Sequence, residues 1–193
     1  MTNTDFKLSS TWDVYYSRND VENWNDRLVN VTSFSTVREF WAVYHHLALP
    51  SNLPAGCDYM IFRRGVAPLW ENKENHDGGR WSFQMRKNES KINLDDKWLE
   101  TLLALIGEQL STKSTQVNGA IVQSRRQKDR IAIWTTDCEN HAKNVGTIYQ
   151  NLVKPWSNLI FQPHANRSST MKGQYTYSLS VDPFVIEEEE RCV

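Results

Sequence analysis

The spacing of apolar residues along the chain changes period several times, and each period predicts a type of element. Runs rich in aromatic and β-branched residues, or alternating apolar with polar positions, predict strands. Apolar residues that recur three and four positions apart predict helices. The predicted strands cover residues 11–16, 28–33, 59–63, 80–85, 120–123, 130–135, 159–163 and 175–181, and the predicted helices cover 37–47, 94–107 and 142–152.

Local signals mark the ends of several of these elements. Thr36 and Glu39 have the spacing of a capping box, so the first helix is expected to begin just after Thr36. Gly107 is a favoured residue for the C-terminal end of the second helix. Residues 125–129 are mostly basic and lie between two predicted strands, which predicts a hairpin with a charged tip.

The order of these elements indicates a single α+β domain. Most strands are joined as hairpins, so we expect a mainly antiparallel sheet of about eight strands with three helices packed on one face. The chain then divides into a flexible N-terminal arm at residues 1–10, a folded domain at 11–182 and an acidic flexible tail at 183–193.

Composition and charge limit the class of protein. With 193 residues, of which 39% are hydrophobic and 23% charged, the chain fits one soluble globular domain and excludes a disordered or fibrous protein. The net charge is -1, but four acids form the run from Glu187 to Glu190, which leaves a slightly basic body. A phosphate-bearing ligand is therefore allowed, whereas a general polyanion-binding protein is not favoured.

Cysteine usage and hydropathy indicate a compartment. Cys57, Cys138 and Cys192 are odd in number and widely spaced, which does not suit a disulfide framework. No apolar run approaches the roughly 18 residues of a membrane span, and residues 1–10 lack the pattern of a secretory signal. We expect a cytosolic protein, with the nucleus as a second compartment, and no membrane partner, metal or cofactor.

The chain has eight tryptophans, the most distinctive number in its composition. Trp24 and Trp70 lie in polar segments that predict loops. One such indole covers a core edge about as often as it contacts a ligand, but two of them favour a ligand. Four others are expected in the core because they lie in predicted strands or on an apolar helix stripe. These are Trp12, Trp81, Trp98 and Trp134.

The residues around the two loop indoles suit a planar ligand that carries phosphates. Stacking on an aromatic side chain is worth roughly 1–3 kcal/mol per base, and a cationic ring gains more. Glu71 offers two acceptor oxygens beside Trp70, which suit the adjacent donors of a guanine edge, although a solvated loop acid is the alternative. Basic residues that either bind phosphates or form only a solvated hairpin tip are Arg80, Arg125, Arg126, Lys128 and Arg130.

Several of these residues lie in stretches that resemble the translation initiation factor 4E family, whose members bind the 7-methylguanosine cap of mRNA. The resemblance runs from about Trp12 to Val181, and the order and spacing of its motifs are specific. The matching stretches are Asn23-Trp24, 36–44 (TVREFWAVY), 56–59 (GCDY), 68–71 (PLWE), 78–81 (GGRW), 96–103 (DKWLETLL), 106–108 (IGE) and 131–135 (IAIWT).

This resemblance implies both a fold and a binding site. The fold is a curved antiparallel sheet with three helices on its convex face and the cap in its concave face. Trp24 and Trp70 would stack on the methylated guanine, and Glu71 would hold its N1 and N2 edge. The other implied contacts are Trp134 with the N7-methyl group, and Arg125 and Arg130, with Arg80 at longer range, with the phosphates.

Three positions depart from the family pattern. Arg130 stands where many members have Lys, which keeps the charge but changes its geometry. Residues 6–8 (FKL) replace a His-Pro-Leu sequence, so the contact between the N-terminal arm and a partner is expected to differ. Gly173-Gln174 falls where some members carry a phosphorylated serine, so we carry over no phosphorylation.

Two helices carry more apolar residues than one buried face needs. Such a surplus indicates burial on both sides or a partner, and we favour a partner because no other layer is expected over these helices. The alternative is that Trp41 packs inward. By resemblance, this dorsal surface would bind a Tyr-x4-Leu-apolar helix from the scaffold factor 4G or from 4E-binding repressor proteins. Its residues are Val37, Trp41, Leu99, Glu100 and Leu103.

Three functions are compatible with these features. The first is a non-catalytic module that binds capped mRNA and recruits it to translation initiation through the scaffold. The second is a cap-binding repressor relative that does not recruit the scaffold. The third is a nucleotide or cap hydrolase, which is disfavoured because the sequence has no P-loop, no paired-carboxylate metal cluster and no G-x-S-x-G motif.

Overall fold

The computed structural model describes residues 5–21, 24–87, 91–111, 116–138, 141–155, 157–164 and 178–179. Within these ranges, eight strands form one antiparallel sheet in the order β2-β1-β3-β5-β6-β4-β7-β8. The strands are β1 (Lys7–Ser17), β2 (Leu28–Thr36), β3 (Asp58–Arg63), β4 (Gly79–Arg86), β5 (Val117–Gln123), β6 (Lys128–Thr135), β7 (Leu159–Pro163) and β8 (Ser178–Leu179). The helices are α1 (Trp24–Arg27), α2 (Val37–His46), α3 (Lys73–His76), α4 (Lys91–Ile106) and α5 (Ala142–Val153), with a 3₁₀ turn at Pro50–Asn52.

The predicted α+β domain is confirmed: the sheet is curved and antiparallel, and α2, α4 and α5 are its long helices. β1 begins at Lys7, which pairs with Thr36, so residues 7–10 of the segment assigned to the arm lie in the sheet. Only Ser178–Leu179 of the predicted last strand is described, and the tail at 183–193 lies outside the described residues. None of the helices in the described ranges is long and apolar enough to cross a lipid bilayer.

Local interactions explain where α2 begins and where α4 ends. Thr36 Oγ1 accepts a hydrogen bond from the Glu39 backbone at 3.2 Å, and the Glu39 carboxylate accepts one from the Thr36 backbone at 3.1 Å, which confirms the capping box. Gly107 follows α4 directly, but the left-handed residue is Glu108, with φ 56°. The Glu108 carboxylate is bound by the Arg63 guanidinium at 2.8 Å.

The sheet separates two hydrophobic clusters. The larger one lies between the sheet and the three long helices and contains Trp12, Trp81 and Trp98, as predicted. The smaller one lies on the opposite side of the sheet, and its buried members are Met60, Phe62, Val66, Ile121 and Trp134. We call this second side the concave face.

A glycine holds α5 close to β4. Trp81 is fully buried, and its Nε1 donates a hydrogen bond to the Ala142 carbonyl at 2.6 Å. A Cβ atom at Gly146 would lie 2.3 Å from Cε2 of the Trp81 ring. Since Arg80 is the residue before Trp81, this contact also fixes a strand that supplies the concave face.

Gly146→Ala is expected to lower the free energy of unfolding by about 1–3 kcal/mol, because the added methyl group overpacks against Trp81. In an exposed part of a helix the same change would stabilise the protein by up to about 1 kcal/mol. The sign of the change in the free energy of unfolding therefore shows whether Gly146 is closely packed or exposed. Urea unfolding measures the difference. Thr147→Ala, at an exposed position of α5, is the matched control and should stay within about 0.5 kcal/mol of the wild type. A Gly146→Ala protein as stable as the control would contradict the close packing.

Candidate functional site

Several of the predicted site residues meet on the concave face of three neighbouring strands. Arg80 of β4 is directly opposite Trp134 of β6. Further along the same ladder, Arg130 has Gln84 on one side and Gln123 of β5 on the other. Because side chains alternate between the two faces of a strand, Arg130 and Trp134 project to the same side as Phe62 and Ile121.

The predicted loop residues Trp70 and Glu71 lie between β3 and α3. The Trp70 side chain is 50% exposed, and Glu71 is also exposed. An indole with half of its surface in water contributes little to a core and is available for contact. Trp24 begins the short helix α1, where the sequence predicted a loop, and its side chain lies outside the described part of the structure.

A buried asparagine anchors the loop that carries Trp70. Asn75 is fully buried, and its Nδ2 donates hydrogen bonds to the carbonyls of Ala67 at 2.8 Å and Leu69 at 2.9 Å. Its Oδ1 accepts a hydrogen bond from Nδ2 of Asn118 in β5 at 2.9 Å. The loop is therefore tied to a central strand. Sequence reasoning missed Asn75, because a single amide in a polar loop carries no signal of its burial.

The arginines surround a polar cavity of about 180 Å³. Burial lowers the pKa of both Arg80 and Arg130, and repulsion from a neighbouring arginine lowers each further. The protein therefore holds positive charge here that its own carboxylates do not fully neutralise, and a bound anion would relieve the repulsion. Among the residues that the structure describes, the cavity is lined by cations and amides, namely Arg80, Gln84, Gln123, Arg125, Lys128 and Arg130.

Arg125 differs from Arg80 and Arg130 because, among the described residues, it alone of the three forms an ion pair with a carboxylate. Its guanidinium forms a two-pronged ion pair with Asp58 of β3, from Nη1 to Oδ1 and from Nη2 to Oδ2 at 3.0 Å. The hydrogen bonds with Asp58 raise the pKa of Arg125. Arg125 is thus oriented toward the cavity edge, while its charge is shared with Asp58.

Trp134 and His164 pack together at the other end of the site. Their ring centroids are 4.0 Å apart, and Nδ1 of His164 donates a hydrogen bond to the Asn75 carbonyl at 2.9 Å. Nε2 of His164 and Nε1 of Trp134 are buried and have no partner within the described ranges. Burial, together with the nearby charge of Arg80, lowers the pKa of His164 to about 4. The imidazole beside Trp134 is therefore neutral at pH 7.

The dorsal surface has a mixed exposure. Val37 is 38% exposed and Leu103 is 41% exposed, whereas Trp41 and Leu99 are half-buried and pack against the larger cluster. Glu100 is exposed and pairs with Lys97 of the same helix at 2.9 Å. Trp41 therefore has one side on the core and another in solvent.

Within the described ranges, no group of three or more His, Cys, Asp or Glu residues is placed to hold a metal ion. Cys57 and Cys138 are buried, and neither forms a disulfide within the described ranges. The hydroxyl of Tyr16 donates a hydrogen bond to Sγ of Cys57 at 3.0 Å, and this contact raises the pKa of Tyr16 to about 12.

His164 is expected to make the protein less stable as the pH falls from about 6.5 to about 4. The pKa of this imidazole is about 4 in the folded protein and 6.5 in the unfolded chain, so in this range the unfolded chain binds a proton that the folded protein does not. The difference between the two pKa values corresponds to a loss of about 3 kcal/mol in the free energy of unfolding by about pH 4. Thermal unfolding across this pH range measures the slope.

The matched variant is His164→Asn, whose Nδ2 keeps a donor at the Nδ1 position for the Asn75 carbonyl but does not titrate. It should lose less stability than the wild type over the same pH range. Parallel curves for the two proteins would show that His164 is not held neutral by burial.

Comparisons with known proteins agree with this architecture. The family model for eukaryotic initiation factor 4E matches residues 7–178. Human eukaryotic translation initiation factor 4E is 40% identical over 174 residues, which cover 88% of this chain and 80% of the relative.

Two solved structures extend the comparison to three dimensions. Ascaris suum eIF4E-3, solved with the m2,2,7G cap, matches with a TM-score of 0.78 and 31% identity over 86% of this chain and 94% of that one. The schistosome eIF4E, solved with m7GpppA and 4E-BP, matches with a TM-score of 0.79 and 25% identity over 91% of this chain and 100% of that one. As the sequence motifs implied, this chain belongs to the eukaryotic initiation factor 4E family.

Proposed function

We propose that the protein binds the 7-methylguanosine cap of mRNA on its concave face and takes part in translation initiation. The family to which it belongs consists of cap-binding translation initiation factors. The observation that carries the proposal is the cationic cavity on the same face as Trp134, together with a loop, tied to Asn118 at the Trp134 end of that face, that exposes Trp70 and Glu71. We also propose the cytosol, with the nucleus, as its location.

The base would be recognised through its charge. Methylation at N7 makes the guanine ring cationic, which strengthens stacking on the electron-rich face of Trp70. The same charge strengthens hydrogen bonds from N1 and N2 to the Glu71 carboxylate. In this proposal Trp24 supplies the second indole, and Trp134 contacts the methyl group.

The phosphates would occupy the cavity. Trp134 and Arg130 are four residues apart in β6, which places them roughly 13 Å apart along the strand. A base near Trp134 therefore has its phosphates near Arg80 and Arg130, the two arginines whose charge is least neutralised. Arg125 reaches the same cavity from the hairpin tip while bound to Asp58.

We propose binding without catalysis. Hydrolysis of the phosphate bridge would require a metal or a general base beside the phosphates. The side chains that line the cavity within the described part of the chain are four cations and two amides, none of which acts as a base at neutral pH. This chemistry favours retention of an anionic ligand over its cleavage.

The proposal predicts strong selectivity for methylated guanine nucleotides. The wild type should bind m7GTP much more tightly than GTP. Trp70→Ala should lose roughly 1–3 kcal/mol of m7GTP binding, and Glu71→Gln should lose about 1.5–3 kcal/mol through its charge-assisted hydrogen bonds. Quenching of tryptophan fluorescence during titration measures each affinity.

The matched control for this prediction is Glu74→Gln. Glu74 is an exposed acid three residues after Glu71, so the variant removes the same charge from the same segment. It should keep both the affinity and the selectivity of the wild type. Equal binding of m7GTP and GTP by the wild type would refute the proposed function.

We further propose that the dorsal surface binds an amphipathic helix with the Tyr-x4-Leu-apolar pattern. Exposed Val37 and Leu103 and the solvent side of Trp41 form its apolar contacts, in the helix-in-groove mode. Scaffold and repressor proteins carry this pattern, so both classes are proposed partners. Phe6 is 69% exposed, and its carbonyl accepts a hydrogen bond from the Val37 backbone at 2.9 Å. Residues 6–8, which differ from the His-Pro-Leu of the family, therefore begin beside the dorsal surface.

Trp41→Ala is expected to abolish binding of such a peptide, because a partly buried tryptophan at the centre of an interface often contributes 2 kcal/mol or more. Its m7GTP affinity should stay within a few-fold of the wild type, since the two sites lie on opposite faces of the sheet. Retention of the peptide on cap resin is the measurement. Leu152→Ser, at an exposed apolar position of α5, is the control and should retain the peptide. If Trp41→Ala loses the cap as well, Trp41 acts as a core residue and the dorsal site is misplaced.

A further inference from the structure

The cationic cavity extends past the three arginines assigned to phosphates. Lys128, the first residue of β6, also lines it. The hairpin tip contains a second unassigned cation, Arg126, which is exposed and does not line the cavity. The structure therefore separates two basic residues that the sequence could only group together.

Lys128 continues a line of functional side chains along one strand. Trp134, Arg130 and Lys128 occupy alternate positions of β6 and so project to the same face. At about 3.3 Å per residue, Arg130 lies roughly 13 Å from Trp134 and Lys128 roughly 20 Å from it. Along this line an aromatic platform is followed by one cation and then by another.

The charge of Lys128 is available to a ligand. Within the described ranges its ammonium has no carboxylate partner. The neighbouring carboxylate of Asp129 is buried and bound instead by Nζ of Lys87 at 2.7 Å and by the Arg125 backbone at 3.1 Å. Arg125, at the same end of the cavity, is held by Asp58. Lys128 is thus a cation that lines the outer end of the cavity without a carboxylate partner among the described residues.

The cavity wall on both sides of Arg130 also suits an anion. Gln84 and Gln123 are the cross-strand neighbours of Arg130 and line the cavity on either side of it. Their amide groups can contact phosphate oxygens without adding a negative charge. The hairpin that carries Lys128 is fixed to β4 through a hydrogen bond from the Lys87 backbone to the Gln127 carbonyl at 3.1 Å.

We propose that Lys128 forms an outer subsite for a phosphoryl group of capped RNA that lies farther from the base than those bound by Arg80 and Arg130. This inference rests on the proposed cap-binding function. Two phosphoryl groups have the required chemistry: the third phosphate of the 5′–5′ bridge and the first 3′–5′ phosphodiester of the RNA. The subsite lets the protein recognise the length of the anionic chain in addition to the methylated base.

The test compares Lys128→Met with Arg126→Met, which removes the same charge from the same hairpin. Affinities are measured by fluorescence titration for GTP, m7GDP, m7GTP, m7GpppA and m7GpppApA, after both variants are shown to melt at the wild-type temperature. Lys128→Met should bind m7GDP like the wild type and lose about three- to fivefold for a longer ligand. Arg126→Met should match the wild type throughout.

The shortest ligand for which Lys128→Met loses affinity identifies the phosphoryl group that Lys128 contacts. A loss that first appears at m7GTP supports the third phosphate, and one that first appears at m7GpppApA supports the phosphodiester. An equal loss for every ligand, no loss at all, or the same loss in both variants overturns the subsite. If the wild type itself binds m7GTP no better than GTP, the proposed cap-binding function fails instead.

Discussion

Each central strand of the sheet must serve a hydrophobic core on one face and a polar site on the other, and the two-residue period of a strand enforces this division. In β6, Ile131 and Ile133 are fully buried under the helices, while Arg130 and Trp134 project to the concave face. A slip of one residue would move a guanidinium into the core and an isoleucine into the site. The register of β6 therefore determines both stability and ligand chemistry.

The hairpin between β5 and β6 secures this register with a buried acid. Asp129 is 5% exposed and is bound by Lys87 from the end of β4 and by the backbone of Arg125. It thus joins three strands at the point where the cationic cavity begins. Loss of the Lys87 ammonium would leave the Asp129 carboxylate without an ion partner in a poorly solvated place, which is far more costly than loss of a surface ion pair.

Much of the fold follows from local sequence, because its signals involve residues close in the chain. The capping box at Thr36 and Glu39, the helix periods and the hairpin were all predicted, and the motifs around Trp70 and Trp134 identified the family. What was missed depends on contacts between distant segments. Arg125 meets Asp58 only because β3 and β5 are neighbours in the sheet, and no local period reveals that pairing.

The site depends on the same kind of long-range contact. Asn75 has no local signal, since its role requires that Asn118 of β5 lie within hydrogen-bonding distance. The short helix that begins at Trp24 was also missed, because four residues are too short a stretch to show a helical period. Exposed positions such as Trp70 were easier to find, because a large apolar side chain is conspicuous in an otherwise polar segment of the sequence.

The ion pair between Arg125 and Asp58 also affects the entropy of ligand binding. An arginine side chain that is free in water loses up to about 2 kcal/mol of rotamer freedom when a ligand fixes it. Arg125 is already fixed by two hydrogen bonds to Asp58, so most of that freedom is lost on folding. Asp58 weakens the attraction of Arg125 for an anion but pre-organises its guanidinium. Binding an anion therefore costs little further side-chain entropy at Arg125.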